Sequence, residues 1–210
     1  MEGGRPYVVK YGLWAVALGM FSETFFFAGF IVPGYAILIA AGFLAAAGEI
    51  NFALVSIVAC TSSFLGDMCS YGLGRWYGGY LLRRHARFTT RVRVALETEG
   101  PILLLMYHYA HPLRALLPCT AGYSRYPIRT WLTYDAIGIL IWVNLIAAIG
   151  YTANRAIFSN GGVISLAFDT LATLVMIVVT WRLYRNYSLA AKSPAFESPP
   201  VSTDVEEKED

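Results

Sequence analysis

The sequence predicts an all-α, multi-pass membrane protein with two re-entrant hairpins of opposite orientation, arranged like an inverted repeat. Three observations carry that fold class. Hydrophobic residues make up 57% of the 210 residues and charged ones only 14%, with a mean hydropathy of +0.52. A soluble domain averages roughly 45–50% apolar and about 25% charged, and the apolar runs here are too long and numerous for one aqueous core. Two runs are broken at depth, one at Pro33-Gly34 and one from His111-Pro112 through Pro118. The basic residues gather in short connecting stretches, where their position, rather than the net charge of +2, sets orientation.

The first apolar block runs from about Tyr11 to Val32, carries Glu23 and follows Arg5 and Lys10. No small-residue cleavage site precedes Glu23, so the block reads as an uncleaved first membrane segment. The second block, Tyr35 to Gly48, is too short for a crossing, which needs about 20 residues. The third runs from Phe52 to about Leu82. The fourth, Pro101 to Gly122, is interrupted by His111-Pro112, Arg114 and Pro118. Two cleaner spans follow, at about Thr130 to Tyr151 and Val163 to Tyr184.

Arg83, Arg84, Arg87, Arg91 and Arg93 place a basic loop over 83–93 in the cytoplasm, and Arg125 and Arg129 mark the next cytoplasmic turn. Arg182, Arg185 and Lys192 put the C-terminus on the same side. The fourth block then enters and leaves by one face, while the segment at Pro33-Gly34 dips in from the other. Irregular backbone survives at that depth only inside protein or beside a wet cavity. Each broken segment ends in an Ala-Gly-aromatic step, Ala41-Gly42-Phe43 and Ala121-Gly122-Tyr123, as an inverted repeat would have it. Residues 1–187 form the membrane domain. The Pro-, Ser- and acid-rich stretch 188–210 is expected to be a disordered cytoplasmic tail. Cys60, Cys69 and Cys119 lie in apolar sequence with neither metal nor disulfide spacing and read as small hydrophobes.

Glu23, Asp67, Arg75 and Arg114 are the ionisable residues within or beside apolar blocks. A charge at mid-bilayer costs about 2.5–3.5 kcal/mol on insertion scales, so such groups face protein, a partner or water. The bland alternative is a static buried pair, for example Glu23 with Arg114. On the third block Ser63, Asp67, Tyr71, Gly74 and Gly78 share one helical stripe, with Arg75 on nearly the same face. His108 and His111 stand three apart in YHYAH. A metal would need a third ligand; Asp67 could serve, but the spacing does not require it, and neither metal nor cofactor is expected. His108 reads instead as a titrating group near the mouth of a cavity.

These motifs in this order resemble the DedA family, also described by its SNARE-associated or VTT domain. The resemblance rests on Glu23, Pro33-Gly34, the run AAGFLAAAGEI, Gly66-Asp67, Tyr71, Gly74-Arg75 and Gly78. It continues through Tyr109, Arg114, Pro118, Ala121-Gly122, RYPIRTW, Gly138, Trp142 and Gly150-Tyr151, covering about residues 21–151. Two positions depart from the family pattern. Tyr35 stands where an acid usually follows Pro-Gly, and His108 where an Arg usually precedes the aromatic. A charged pair is replaced by two hydrogen-bonding side chains.

The resemblance implies facing re-entrant hairpins with charged tips, shaped by Pro33, Gly34, Pro118 and Gly122, in a bacterial inner membrane. It implies movement of a phosphate-bearing lipid, such as undecaprenyl phosphate or a phospholipid, in some members driven by proton or sodium gradients. Arg114, helped by Arg75, would bind the phosphate, and Glu23, Asp67 and His108 would couple ions. The expected partners are membrane lipids and not nucleic acid, with homo-oligomerisation left open. A non-transporting scaffold for envelope homeostasis is the alternative. A lipid phosphatase or protease is disfavoured, because no Ser pairs with a His at an informative spacing.

Overall fold

The computed structural model describes residues 5–25, 34–83, 86–109 and 111–158, with the isolated positions 178 and 181. Every regular element among them is helical: α1 (Arg5–Thr24), α2 (Gly34–Ala46), α3 (Phe52–Leu81), α4 (Ala86–Glu99), α5 (Pro101–Met106), a 3-10 turn (Tyr107–Tyr109), α6 (His111–Tyr123) and α7 (Ile128–Phe158). Pro33, the expected span Val163 to Tyr184 apart from Val178 and Trp181, and the tail 188–210 lie outside the described residues.

Among the described residues, α3 and α7 are long and apolar enough to cross a bilayer, with 30 and 31 residues. At about 1.5 Å per residue each is about 45 Å long, more than the roughly 30 Å of hydrocarbon, so each tilts or projects beyond it. α3 starts cleanly because the Asn51 side chain accepts hydrogen bonds from the backbone N–H of Ala53 (2.8 Å) and Leu54 (3.3 Å). α1, expected to cross, has 20 residues but falls short of α3 and α7 in apolar character, and packs along α3.

The two shorter helices that carry the Ala-Gly steps, α2 and α6, have 13 residues each. α2 lies on α7 and α6 on α3. A Cβ added at Gly42 would strike the Ala147 carbonyl, and one at Gly150 the Ile39 carbonyl. In the other pair, Gly74 meets the Cys119 carbonyl and Gly122 that of Tyr71. Backbone therefore rests on backbone at both contacts, the arrangement small residues permit between membrane helices.

Two expectations are corrected. Pro118 and Gly122 do not shape a loop, since α6 runs through both. The chain breaks earlier, at the 3-10 turn before His111, and Pro118 only removes the helical donor that would reach the Arg114 carbonyl. The basic stretch 83–93 is not a loop throughout, because α4 starts at Ala86. Val92 and Leu96, four apart, bury one face of it, while Arg93 pairs with Glu97 at 3.0 Å on the exposed side.

Three apolar clusters result among the described residues. One contains Met20, Leu38, Val55, Trp142 and Ile146; a second Tyr71, Leu96, Leu104, Leu117 and Trp131; a small third Leu82, Leu116 and Cys119. Along α3 and α7 the boundary between the first two falls at Asp67 and Asp135.

Candidate functional site

The last turn of α1 is fastened to α3 by small polar groups. Thr24 Oγ1 donates to the Ser63 carbonyl and Ser70 Oγ donates to the Thr24 carbonyl, both at 3.0 Å. Gly66 leaves room for Thr24 between them. This seat brings Glu23 into the neighbourhood of Asp67.

α2 then begins against the acid. A Cβ at Gly34 would overlap the Glu23 carboxylate, which therefore sits at a helix N-terminus, where free N–H groups favour an anion. From α6, Arg114 Nη1 lies 3.6 Å from Glu23 Oε1, and its guanidinium stands 3.5 Å over the Trp142 ring. Both side chains of the pair are only 1% exposed. A planar, weakly hydrated cation on an aromatic face is a known way to keep an arginine away from water.

Beside this pair lies a second polar group. Asp135 projects from α7 and accepts a hydrogen bond at Oδ1 from the Tyr107 hydroxyl. His108 Nε2 is 3.5 Å from the same oxygen, and the imidazole lies against Gly138, where an added Cβ would come within 2.6 Å of the ring. One donor-type atom from each of Asp67, His108 and Asp135 falls within 4.8 Å of the others. All three residues are fully buried. Tyr35 links the two groups: its hydroxyl donates to the His108 carbonyl (3.2 Å) and accepts from Trp142 Nε1 (3.3 Å).

Glu23, Asp67, His108 and Arg114 are thus brought together, with Gly34 beside them. Positions 35 and 108 also meet, though Tyr35 bonds to the backbone of His108 rather than to its ring. His108 is buried in the cluster and not at the mouth of a cavity. Arg75 does not join them. Eight residues at about 100° each carry it roughly 80° round the helix from Asp67; it is exposed beside Trp76 and Tyr77. Asp135 escaped the sequence reading, although an acid inside the apolar run Thr130 to Tyr151 carries the same signal that singled out Glu23.

The family model for the VTT domain matches residues 32–152, more than half of the chain. The chain belongs to the VTT-domain, or DedA, family. This VTT-domain protein is 30% identical over 155 residues to an uncharacterized membrane protein of Synechocystis sp., covering 70% of each chain. It is 29% identical over 190 residues to the inner membrane protein YabI of Escherichia coli K12, covering 84% of this chain and 74% of that one. To protein DedA of the same bacterium it is 25% identical over 183 residues, with 82% and 80% covered. No solved structure matches the chain. Family and helices together make it a membrane protein.

Proposed function

We propose that this VTT-domain protein is a lipid translocase that carries a phosphate-bearing headgroup, of undecaprenyl phosphate or a phospholipid, across the bacterial inner membrane. The observation that supports it most is Arg114. The guanidinium is buried, yet none of its nitrogens makes a hydrogen bond; it is held by Glu23 at 3.6 Å and by the face of Trp142. An ion pair this loose can be exchanged for a better acceptor, and a phosphate offers the fork of oxygens that suits an arginine. Glu23 then acts as the internal competitor that takes Arg114 back when the headgroup leaves. Glu23 and Asp67 are placed to exchange a proton in that cycle.

In this reading α2 and α6 are the inner arms of two re-entrant hairpins that enter from opposite faces. Their equal length and matching glycine seats support it. The basic stretch 83–93 and the C-terminus face the cytoplasm, and catalysis of bond cleavage is not part of the function. The buried cluster corresponds to a closed state, so transport requires α2 or α6 to move.

The test is headgroup movement in proteoliposomes, with undecaprenyl phosphate and phospholipids compared. Arg114→Ala combined with Glu23→Gln, which removes one charge of each sign and so leaves the net buried charge unchanged, should lower the rate at least tenfold while the protein stays folded. Wild-type rates in that variant would remove the role given to Arg114. A wild-type protein that moves none of the lipids would favour the scaffold reading.

A further inference from the structure

We propose that Asp67, His108 and Asp135 form a binding site for a divalent first-row transition cation. This goes beyond lipid movement and does not depend on it.

The donor set comes from three separate elements: α3, the 3-10 turn, and α7. The chain converges on the site rather than presenting a local run of acids. The candidate donor atoms all lie within 4.8 Å of one another. Two ligand atoms of a tetrahedral ion, each about 2.1 Å from it, stand about 3.4 Å apart, so binding would draw the widest pair together by up to about 1.4 Å, within reach of side-chain adjustment. Unmet demand supports the same conclusion. Neither oxygen of Asp67, neither ring nitrogen of His108, nor Oδ2 of Asp135 makes a hydrogen bond, and all three residues are fully buried. Tyr107 stands next to both acids, but its hydroxyl is committed to Asp135 Oδ1. That bond fixes the carboxylate and leaves Oδ2 to point elsewhere, as an outer partner does for a metal ligand.

Charge balance gives the valence. Among the described buried residues, Glu23, Asp67 and Asp135 bring three negative charges and Arg114 one positive charge. The two surplus negative charges match one divalent ion with a neutral imidazole. Such a surplus is costly in a low-dielectric interior unless a metal or protons neutralise it. The imidazole selects the class of ion, because nitrogen donors suit zinc, copper, iron and nickel better than magnesium or calcium. Gly138 leaves room for the imidazole, since a Cβ there would come within 2.6 Å of the His108 ring.

The experiment is metal content of the full chain, purified in detergent, loaded with Zn²⁺ and dialysed against metal-free buffer. A Co²⁺-loaded sample supplies an absorption spectrum that reports nitrogen and oxygen coordination. The wild type should retain one ion per chain. His108→Arg, which puts a fixed cation in the pocket and cannot coordinate, should retain none while keeping its melting temperature. Asp135→Asn should likewise lose the ion, and Tyr107→Phe should bind about 10–100-fold more weakly. Glu97→Gln, on exposed α4, should bind like wild type. A wild-type protein that retains no metal, or Asp135→Asn and His108→Arg variants that retain it with an unchanged spectrum, would overturn the site. In the first case protons neutralise the acids, and Asp67→Asn would raise the melting temperature instead.

Discussion

Glu23 and Arg114 are each tolerable only because the other is present. Removing one member of a buried pair leaves an uncompensated charge and costs about 3–5 kcal/mol. Glu23→Ala and Arg114→Ala should therefore each lower the thermal midpoint of the detergent-solubilised protein strongly, and the double variant by less than their sum. Additive losses in that cycle would mean that the 3.6 Å separation carries no coupling. These residues were legible in the sequence because a charge inside apolar sequence is rarely accidental. Asp135 obeyed the same rule and was equally legible. Arg75 was misplaced for a geometric reason: a spacing of two turns is 7.2 residues, and the extra 0.8 turns the side chain away.

At the level of elements, the contacts of α2 with α7 and of α6 with α3 depend on glycine meeting a carbonyl. A β-branched residue at Gly150 would collide with the Ile39 backbone, which has no rotamer to move aside. Overpacking of this kind costs about 1–3 kcal/mol or more. Gly150→Val should thus lower the thermal midpoint, whereas Ile141→Val, on the exposed side of the same helix, should leave it nearly unchanged. The Ala-Gly steps were visible in sequence, but their partners were not, since a backbone carbonyl, at Ala147 as at Tyr71, carries no residue-type signal. α4 was hidden for another reason. Its arginines signal orientation so strongly that the apolar pair Val92 and Leu96 passes unnoticed between them. Pro118 misled in the opposite sense, because a membrane helix can carry a proline without ending.

For the whole molecule, a 13-residue helix followed by a long apolar one occurs twice among the described residues, as α2 then α3 and as α6 then α7. With α3 as a crossing helix, Glu49 and Arg93 belong to opposite faces. After Cys69, which is exposed, is replaced by Ser, a cysteine at Glu49 should react with an impermeant maleimide in intact cells. One at Arg93 should react only after permeabilisation; labelling of both from one side would refute the topology. The membrane class was legible from composition alone. The joining of two polar groups into one buried cluster was not, since it requires α1, α2, α6 and α7 to converge on the same stretch of α3.

The exposed aromatic residues of α3 fix one more quantity. Trp76 and Tyr77, with Tyr80 beyond them, are 78%, 61% and 84% exposed, and tryptophan and tyrosine settle at the headgroup level. Asp67 precedes Trp76 by nine residues, which at about 1.5 Å each places it about 14 Å further in. Half the hydrocarbon thickness is about 15 Å. An α3 running near the membrane normal would thus carry the polar centre close to the midplane, about equally far from either leaflet.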